Sequence, residues 1–139
     1  MNQITELSCN LDDMTPESLA FAAQVLFDEG ALDVYTTSIG MKKGRMGVLL
    51  TCMCKSDEAE KFAALIFKHT TTLGIRENVS KRYTMSRKFS NKETPYGSVS
   101  VKTATGYGVT KSKPEYEDMA KIARENGISL YEVLKYVDK

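Results

Sequence analysis

Residues 39–47 of this chain read IGMKKGRMG, a basic stretch between the apolar-rich runs ALDVY and VLLTCMC. Lys42 and Lys43 supply compact positive charge, and the planar guanidinium of Arg45 can hold two oxygens of one phosphate at once. Gly40, Gly44 and Gly47 carry no Cβ, so backbone N–H groups there can come close to an anion. These residue types in this order suit phosphate; a turn that is merely well solvated has the same composition.

Asp12 and Asp13 are adjacent carboxylates just ahead of a helix signal. Such a pair can hold a hard divalent cation, Mg²⁺ or Mn²⁺, on a nucleoside triphosphate, or it can build the turn and complement the helix dipole. Arg76 and Arg82 fall on one face of a strand-like stretch, and KRYTMSRKFSNK concentrates Lys81, Arg82, Arg87, Lys88 and Lys92, so a second basic surface is expected. His69 is the only histidine and cannot make a metal site alone; at a helix C-terminus it meets the negative end of the dipole. KPEYED sets Lys113 beside Glu115, Glu117 and Asp118, an arrangement that helix-start chemistry also explains. Cys52 and Cys54 are two apart in a strand-like run and share a face, without the C-x₂₋₄-C spacing of structural zinc; with Cys9 they read as reduced thiols.

These residues need elements to position them. ITELSCNL alternates Leu7, Cys9 and Leu11 against polar neighbours and predicts a strand. Thr15 as N-cap, Pro16 at the first position and the stripe Leu19, Ala22, Ala23, Leu26 predict a helix ending at Gly30. Two strands follow, joined by the basic turn, and the second is apolar on both faces, as a central strand is. Ser56 opens another helix with Phe62, Leu65 and Ile66 inward, and IRENVSKRYTM predicts a fourth strand with Ile75, Val79, Tyr83 and Met85 on one face. The order β-α-β-β-α-β is the split βαβ, or ferredoxin-like, order.

Beyond it, TPYG and SVSVK predict a β-hairpin arm, TGYGVTKSK a loop, Pro114 the start of a helix ending at Asn126-Gly127, and Ser129 with Glu132 a capping box for a last helix. The fold class expected is therefore α+β: a ferredoxin-like core over residues 1–86, then over residues 87–139 a β-hairpin arm and two C-terminal helices.

Composition narrows the function classes. The 19 Lys and Arg nearly cancel the 18 Asp and Glu, so electrostatic function must come from local clustering. A ferredoxin-like order invites an RNA-recognition reading, but neither ITELSCNL nor RMGVLLTCMC holds an aromatic residue to stack a base, so no nucleic-acid partner is expected. No apolar run approaches the ~18 residues of a membrane span, and the first residues lack the pattern of a signal peptide, so no membrane partner and a cytoplasmic location are expected.

Read together, NLDDMTPE, GALDVYTTSIGMKKGR, TTTLGIR, ETPYGSVSVK and KPEYEDMAKIARENGISLYEV resemble the C-terminal domain of the LarC family. The resemblance runs from about residue 4 to 137, with Ser38 and Met46 where that family usually has proline and Met119 where cysteine is common. It implies a nickel chelatase, or cyclometallase, of the lyase class. Such an enzyme inserts nickel into pyridinium-3,5-bisthiocarboxylic acid mononucleotide to form the nickel-pincer nucleotide of lactate racemase type enzymes, using CTP with Mg²⁺ or Mn²⁺.

The resemblance also implies partners and site residues. An N-terminal half with a histidine-rich segment is absent from this sequence, and the ligands are CTP and the pyridinium mononucleotide. Lys42, Lys43, Arg45 and Arg76 would bind phosphate, Thr70, Thr71 and Thr72 would add hydroxyl and backbone donors, and Asp12 and Asp13 would hold the cation on the triphosphate. Lys113, Glu115, Asp118 and Arg87 are further candidates for nucleotide contacts. Forming a nickel–carbon bond releases a ring proton, which calls for a general base, a carboxylate that the sequence does not single out. A nucleotide-sensing or assembly module on the same scaffold is the alternative, and the exposed edges of such a sheet predict a homo-oligomer under either reading.

Overall fold

The computed structural model describes residues 2–138, which divide into two compact units, one ending at Tyr83 and one beginning at Thr84. The first holds β1 (Asn2–Leu11), α1 (Pro16–Asp28), β2 (Asp33–Gly40), β3 (Met46–Cys54), α2 (Ala59–His69) and β4 (Arg76–Arg82). Its sheet has the order β2-β3-β1-β4 with every neighbouring pair antiparallel, which is the ferredoxin-like arrangement.

Local chemistry explains the elements. The Thr15 hydroxyl accepts from the Ser18 N–H at 3.1 Å and Pro16 begins α1, as the cap pattern dictates. Leu19, Ala22 and Leu26 then turn inward. Gly30 closes the helix in the left-handed region (φ 99°), donating to Phe27 O at 3.0 Å. α2 is preceded by a single 3₁₀ turn, Ser56–Glu58, and buries Phe62 and Ile66 one turn apart. His69, in its last turn, lies 5.8 Å from the Phe21 ring.

Leu7, Cys9, Leu11, Leu50, Cys52, Cys54, Phe62 and Ile66 form the heart of the core. All three cysteines are free and buried there. Burial, and behind it the neighbouring Cys54, pushes the Cys52 thiol up to about 12.

One strand departs from expectation. β4 begins at Arg76, and Val79, expected on one strand face with Ile75, Tyr83 and Met85, is 59% exposed. It pairs only with β1, while α2 packs over β1 and β3, so the helix side of this edge strand stays uncovered. Of the four residues expected on that shared face, Ile75 packs against the core of this unit.

The second unit is a three-stranded antiparallel sheet, β5 (Ser86–Thr94), β6 (Gly97–Gly106) and β7 (Val109–Pro114), with α3 (Tyr116–Asn126) and α4 (Leu130–Val137). Val99, Met119, Ile122, Val133 and Val137 are its core. The arm expected as one hairpin thus gains a third strand, because GVTKSK pairs with β6 instead of forming a loop. Pro114 ends β7 rather than opening α3, whose N-cap is Glu115. Proline lacks the N–H a ladder needs but is tolerated at a strand end. Ser129 accepts from the Glu132 N–H at 3.1 Å, as its capping pattern requires. Among the described residues, no helix is long and apolar enough to cross a membrane.

Candidate phosphate and cation site

In the first unit, β1 and β2 end where β3 and β4 begin. The topology therefore brings three chain segments to one end of the sheet: Asp12 and Asp13 after β1, the basic turn between β2 and β3, and the threonines with Arg76 ahead of and at the start of β4.

The turn is tightly built. Lys42–Gly44 form one 3₁₀ turn, the Met41 N–H donates to Arg45 O at 2.7 Å, and Lys43 sits in the left-handed region with φ 61°, ψ 26°. A non-glycine residue there carries backbone strain. Gly44 follows with φ 70°, and a Cβ on it would meet nothing within 4 Å. Gly47 is different. A Cβ there would lie 2.8 Å from Leu11 O and collide with the Met41 side chain, so this glycine serves the packing of β3 against the end of β1. Met46 is 75% exposed at the start of β3.

Side chains from the segments meet directly. Arg45 pairs with Asp12 at 3.5 Å, with both side chains reaching solvent. The Thr71 hydroxyl donates to Asp13, and Arg76 Nη2 donates to Asn10 Oδ1 at 2.9 Å. The Thr70 and Thr72 hydroxyls are engaged at 2.7 Å with Ile66 O and Gly74 O, so they hold the loop's shape and have given up their protons to it. Lys42 and Lys43 are exposed. Cys9 adjoins this end of the sheet: burial raises its thiol, while a Thr72 hydrogen bond and the Arg76 charge act against that.

This arrangement can do two things chemically. It offers an anion Lys42, Lys43, Arg45 and Arg76, and it offers a cation the carboxylates of Asp12 and Asp13. An exposed ion pair such as Arg45–Asp12 is worth roughly 0–1 kcal/mol, so Arg45 can exchange its carboxylate for a phosphate at little cost. Among the described residues no group of three or more His, Cys, Asp or Glu could hold a metal ion. A divalent cation at Asp12 and Asp13 would therefore need oxygens from another molecule, which a triphosphate supplies.

The remaining expected residues belong to the second unit. By register, Arg87 of β5, opposite Ala104, and Lys113 of β7, opposite Lys102, share one sheet face. The Glu115 N–H donates to Ser100 O at 2.8 Å, and the Asp118 carboxylate accepts the Ser100 N–H at 2.8 Å. Asp118 thus takes the place of a strand carbonyl where β7 has ended, and this backbone hydrogen bond holds its carboxyl below the ordinary value. Asn10 was not singled out by its type. Alternation puts it on the polar face of β1, and only the β1–β4 register brings it to Arg76.

Comparison with known proteins gives a consistent result. A family profile described as "Nickel insertion protein" matches residues 1–134. The chain is 41% identical over 138 residues to the pyridinium-3,5-bisthiocarboxylic acid mononucleotide nickel insertion protein of Acetivibrio thermocellus, covering 99% of this chain and 34% of that protein. The curated relatives it matches are longer, and the chain spans 32% to 42% of the first two of them. Among solved structures it superposes with a TM-score of 0.93 at 37% identity on the apo form of LarC2, described as the C-terminal domain of a cyclometallase involved in the synthesis of the NPN cofactor of lactate racemase, covering 99% of both chains. A protein of Methanopyrus kandleri known by its crystal structure matches with a TM-score of 0.73 at 28% identity, covering 95% of this chain and 84% of that one.

Proposed function

Because the chain belongs to the nickel insertion protein family, we propose that it is the nucleotide-binding part of a cytoplasmic nickel chelatase of the lyase class. In this reading it works with CTP and Mg²⁺ or Mn²⁺ to place nickel, the substrate metal, in pyridinium-3,5-bisthiocarboxylic acid mononucleotide and so form the nickel-pincer nucleotide. The N-terminal half carried by relatives is its partner. The observation that carries this reading is the convergence of the Lys42–Arg45 turn, Asp12, Asp13 and Arg76 at one end of the sheet.

Each residue then has a role. Arg45 leaves Asp12 for a phosphate, where a bidentate contact fixes orientation as well as charge. Lys42 and Lys43 balance the remaining triphosphate charge. Asp12 and Asp13 hold the divalent cation from the protein side, with Thr71 orienting Asp13. Arg76, steadied by Asn10, approaches from β4. Thr70 and Thr72 act through the loop shape they hold. The unpaired edges β2 and β4 suit self-association into a homo-oligomer, which light scattering would measure.

Calorimetric titration of CTP, ATP and GTP with Mn²⁺ tests the reading. CTP should bind preferentially, and Lys43→Ala and Arg45→Ala should each weaken it by roughly 1.5–3 kcal/mol, the scale of a charge-assisted hydrogen bond. Equal binding of the three nucleotides, or none, would overturn it.

A further inference from the structure

The sheet of the second unit has one face turned away from α3 and α4. Val99 and Val101 pack into the core with those helices, so by alternation Lys102 and Ala104 of β6 point the other way. The register sets two rows of side chains on that face: Arg87, Ala104 and Lys111, then Phe89, Lys102 and Lys113. Four cations and one aromatic ring thus share a patch of roughly 10 Å by 7 Å, two strand spacings wide and two residues deep. Arg87, Phe89, Lys111 and Lys113 are exposed, Phe89 by 67%, and Lys102 is half-buried.

Such an arrangement works against stability. Lys102 and Lys113 stand directly opposite each other on the β6–β7 ladder, where like charges repel, and Lys111 is two residues from Lys113 on the same face. Glu93 is the only carboxylate between Ser86 and Pro114, and the Ser98 hydroxyl donates to it. Neither Glu93 nor Glu115, which follows β7, neutralises the face: among the described residues Arg87, Lys102, Lys111 and Lys113 make no ion pair. A bound anion reverses the repulsion, and a flat ring covers Phe89.

We propose that this face binds the pyridinium mononucleotide that accepts the nickel, with its ring on Phe89 and its anionic groups on the four cations. The inference rests on the reading above, in which the chain serves two phosphorylated molecules and the first unit takes the triphosphate. A pyridinium-3,5-bisthiocarboxylic acid mononucleotide carries a phosphate at one end and two thiocarboxylates on a cationic ring at the other. The cations are spread in the same way around Phe89, with Arg87 two residues along β5 and the lysines across the strands. Arg87 can hold two oxygens of the phosphate, the lysines meet the thiocarboxylates, and the Phe89 ring face attracts a pyridinium by stacking and cation–π interaction. CTP matches less well, since its base is neutral and its charge lies at one end.

Calorimetry on the whole chain tests this with nicotinic acid mononucleotide, whose pyridinium ring bears one carboxylate, and nicotinamide mononucleotide, in which that group is an uncharged amide. The first should bind at least tenfold more tightly than the second. Lys102→Gln and Lys111→Gln should each lose tenfold or more for nicotinic acid mononucleotide and keep their affinity for Mg–CTP. Lys102→Glu should abolish mononucleotide binding while raising Tm, because it sets a carboxylate opposite Lys113; a damaged fold would lower Tm instead. In proton spectra the pyridinium resonances should move upfield with the native chain and not with Phe89→Leu. Equal binding of the two mononucleotides, no binding of nicotinic acid mononucleotide, binding that both lysine-to-glutamine variants retain, or a parallel loss of Mg–CTP overturns the proposal. Tighter binding of a single-stranded oligonucleotide through the same lysines overturns it too, in favour of a nucleic-acid surface. If Mg–CTP fails to bind the native chain, the CTP reading falls; the face stands where lysine-dependent mononucleotide binding persists, and falls where it does not.

Discussion

At the scale of single residues, Lys43 and Gly47 show two different uses of a special backbone position. Lys43 accepts the left-handed region, where a side chain costs roughly 1–2 kcal/mol, while keeping its charge at the tip of the turn. Lys43→Gly would relieve that strain and lose about 0.5–1 kcal/mol to chain entropy, so Tm should hold or rise slightly while CTP affinity drops. Gly47 was read from sequence as room for a ligand, yet the atom that excludes a Cβ there is Leu11 O, 2.8 Å away. Gly47→Ala should cost about 1–3 kcal/mol in denaturant melts, because a backbone carbonyl cannot rotate away as a side chain can.

Asp118 gives a pH dependence at the same scale. Its carboxyl is held below 3.8 in the folded chain by the Ser100 N–H, so it binds its proton less readily folded than unfolded. The stability it contributes is complete above that value and is lost as pH falls from there through the lower folded value. Urea melts from pH 5 downward should show this acid-side slope, and Asp118→Asn should flatten it.

Among the elements, those with both a period and a cap were legible. α1 was readable from Thr15, Pro16 and the Leu19–Leu26 stripe, and α4 from Ser129 and Glu132. Ser129→Ala should lower thermal stability by about 1 kcal/mol, the usual cost of a lost N-cap, without altering CTP binding. β7 was not legible, since Val109, Lys111 and Lys113 alternate with Thr110 and Ser112 and neither face is apolar; its strand character comes from pairing with β6. β4 misled in the opposite direction. Its apolar parity was real, but how much of that face is covered depends on where α2 lies.

For the whole molecule, the sequence order of elements was enough to expect the ferredoxin-like sheet, and the β2-β3-β1-β4 order then gathers three distant segments at one end. The links Arg76–Asn10 and Thr71–Asp13 were not readable, because each joins residues more than fifty positions apart whose meeting depends on register. A tertiary prediction follows: Asn10→Ala should leave the fold intact but release Arg76, weakening triphosphate binding less than Arg45→Ala does. Titration of both variants with tripolyphosphate would measure this.

Cys9, Cys52 and Cys54 all lie in the core of the first unit, while the core of the second, built around Val99 and Val133, contains no sulfhydryl. The chain therefore carries an internal clock on one half only. Pulses of an alkylating reagent at mildly alkaline pH should leave the native protein unlabelled, since the thiols are shielded and Cys52 is pushed up to about 12. Each added mass then records an excursion in which the first unit opened, with the second unit silent. The mass spectrum would thus time the exposure of the half that carries Asp12, the basic turn and Arg76, with or without nucleotide bound, and with no label engineered into the chain.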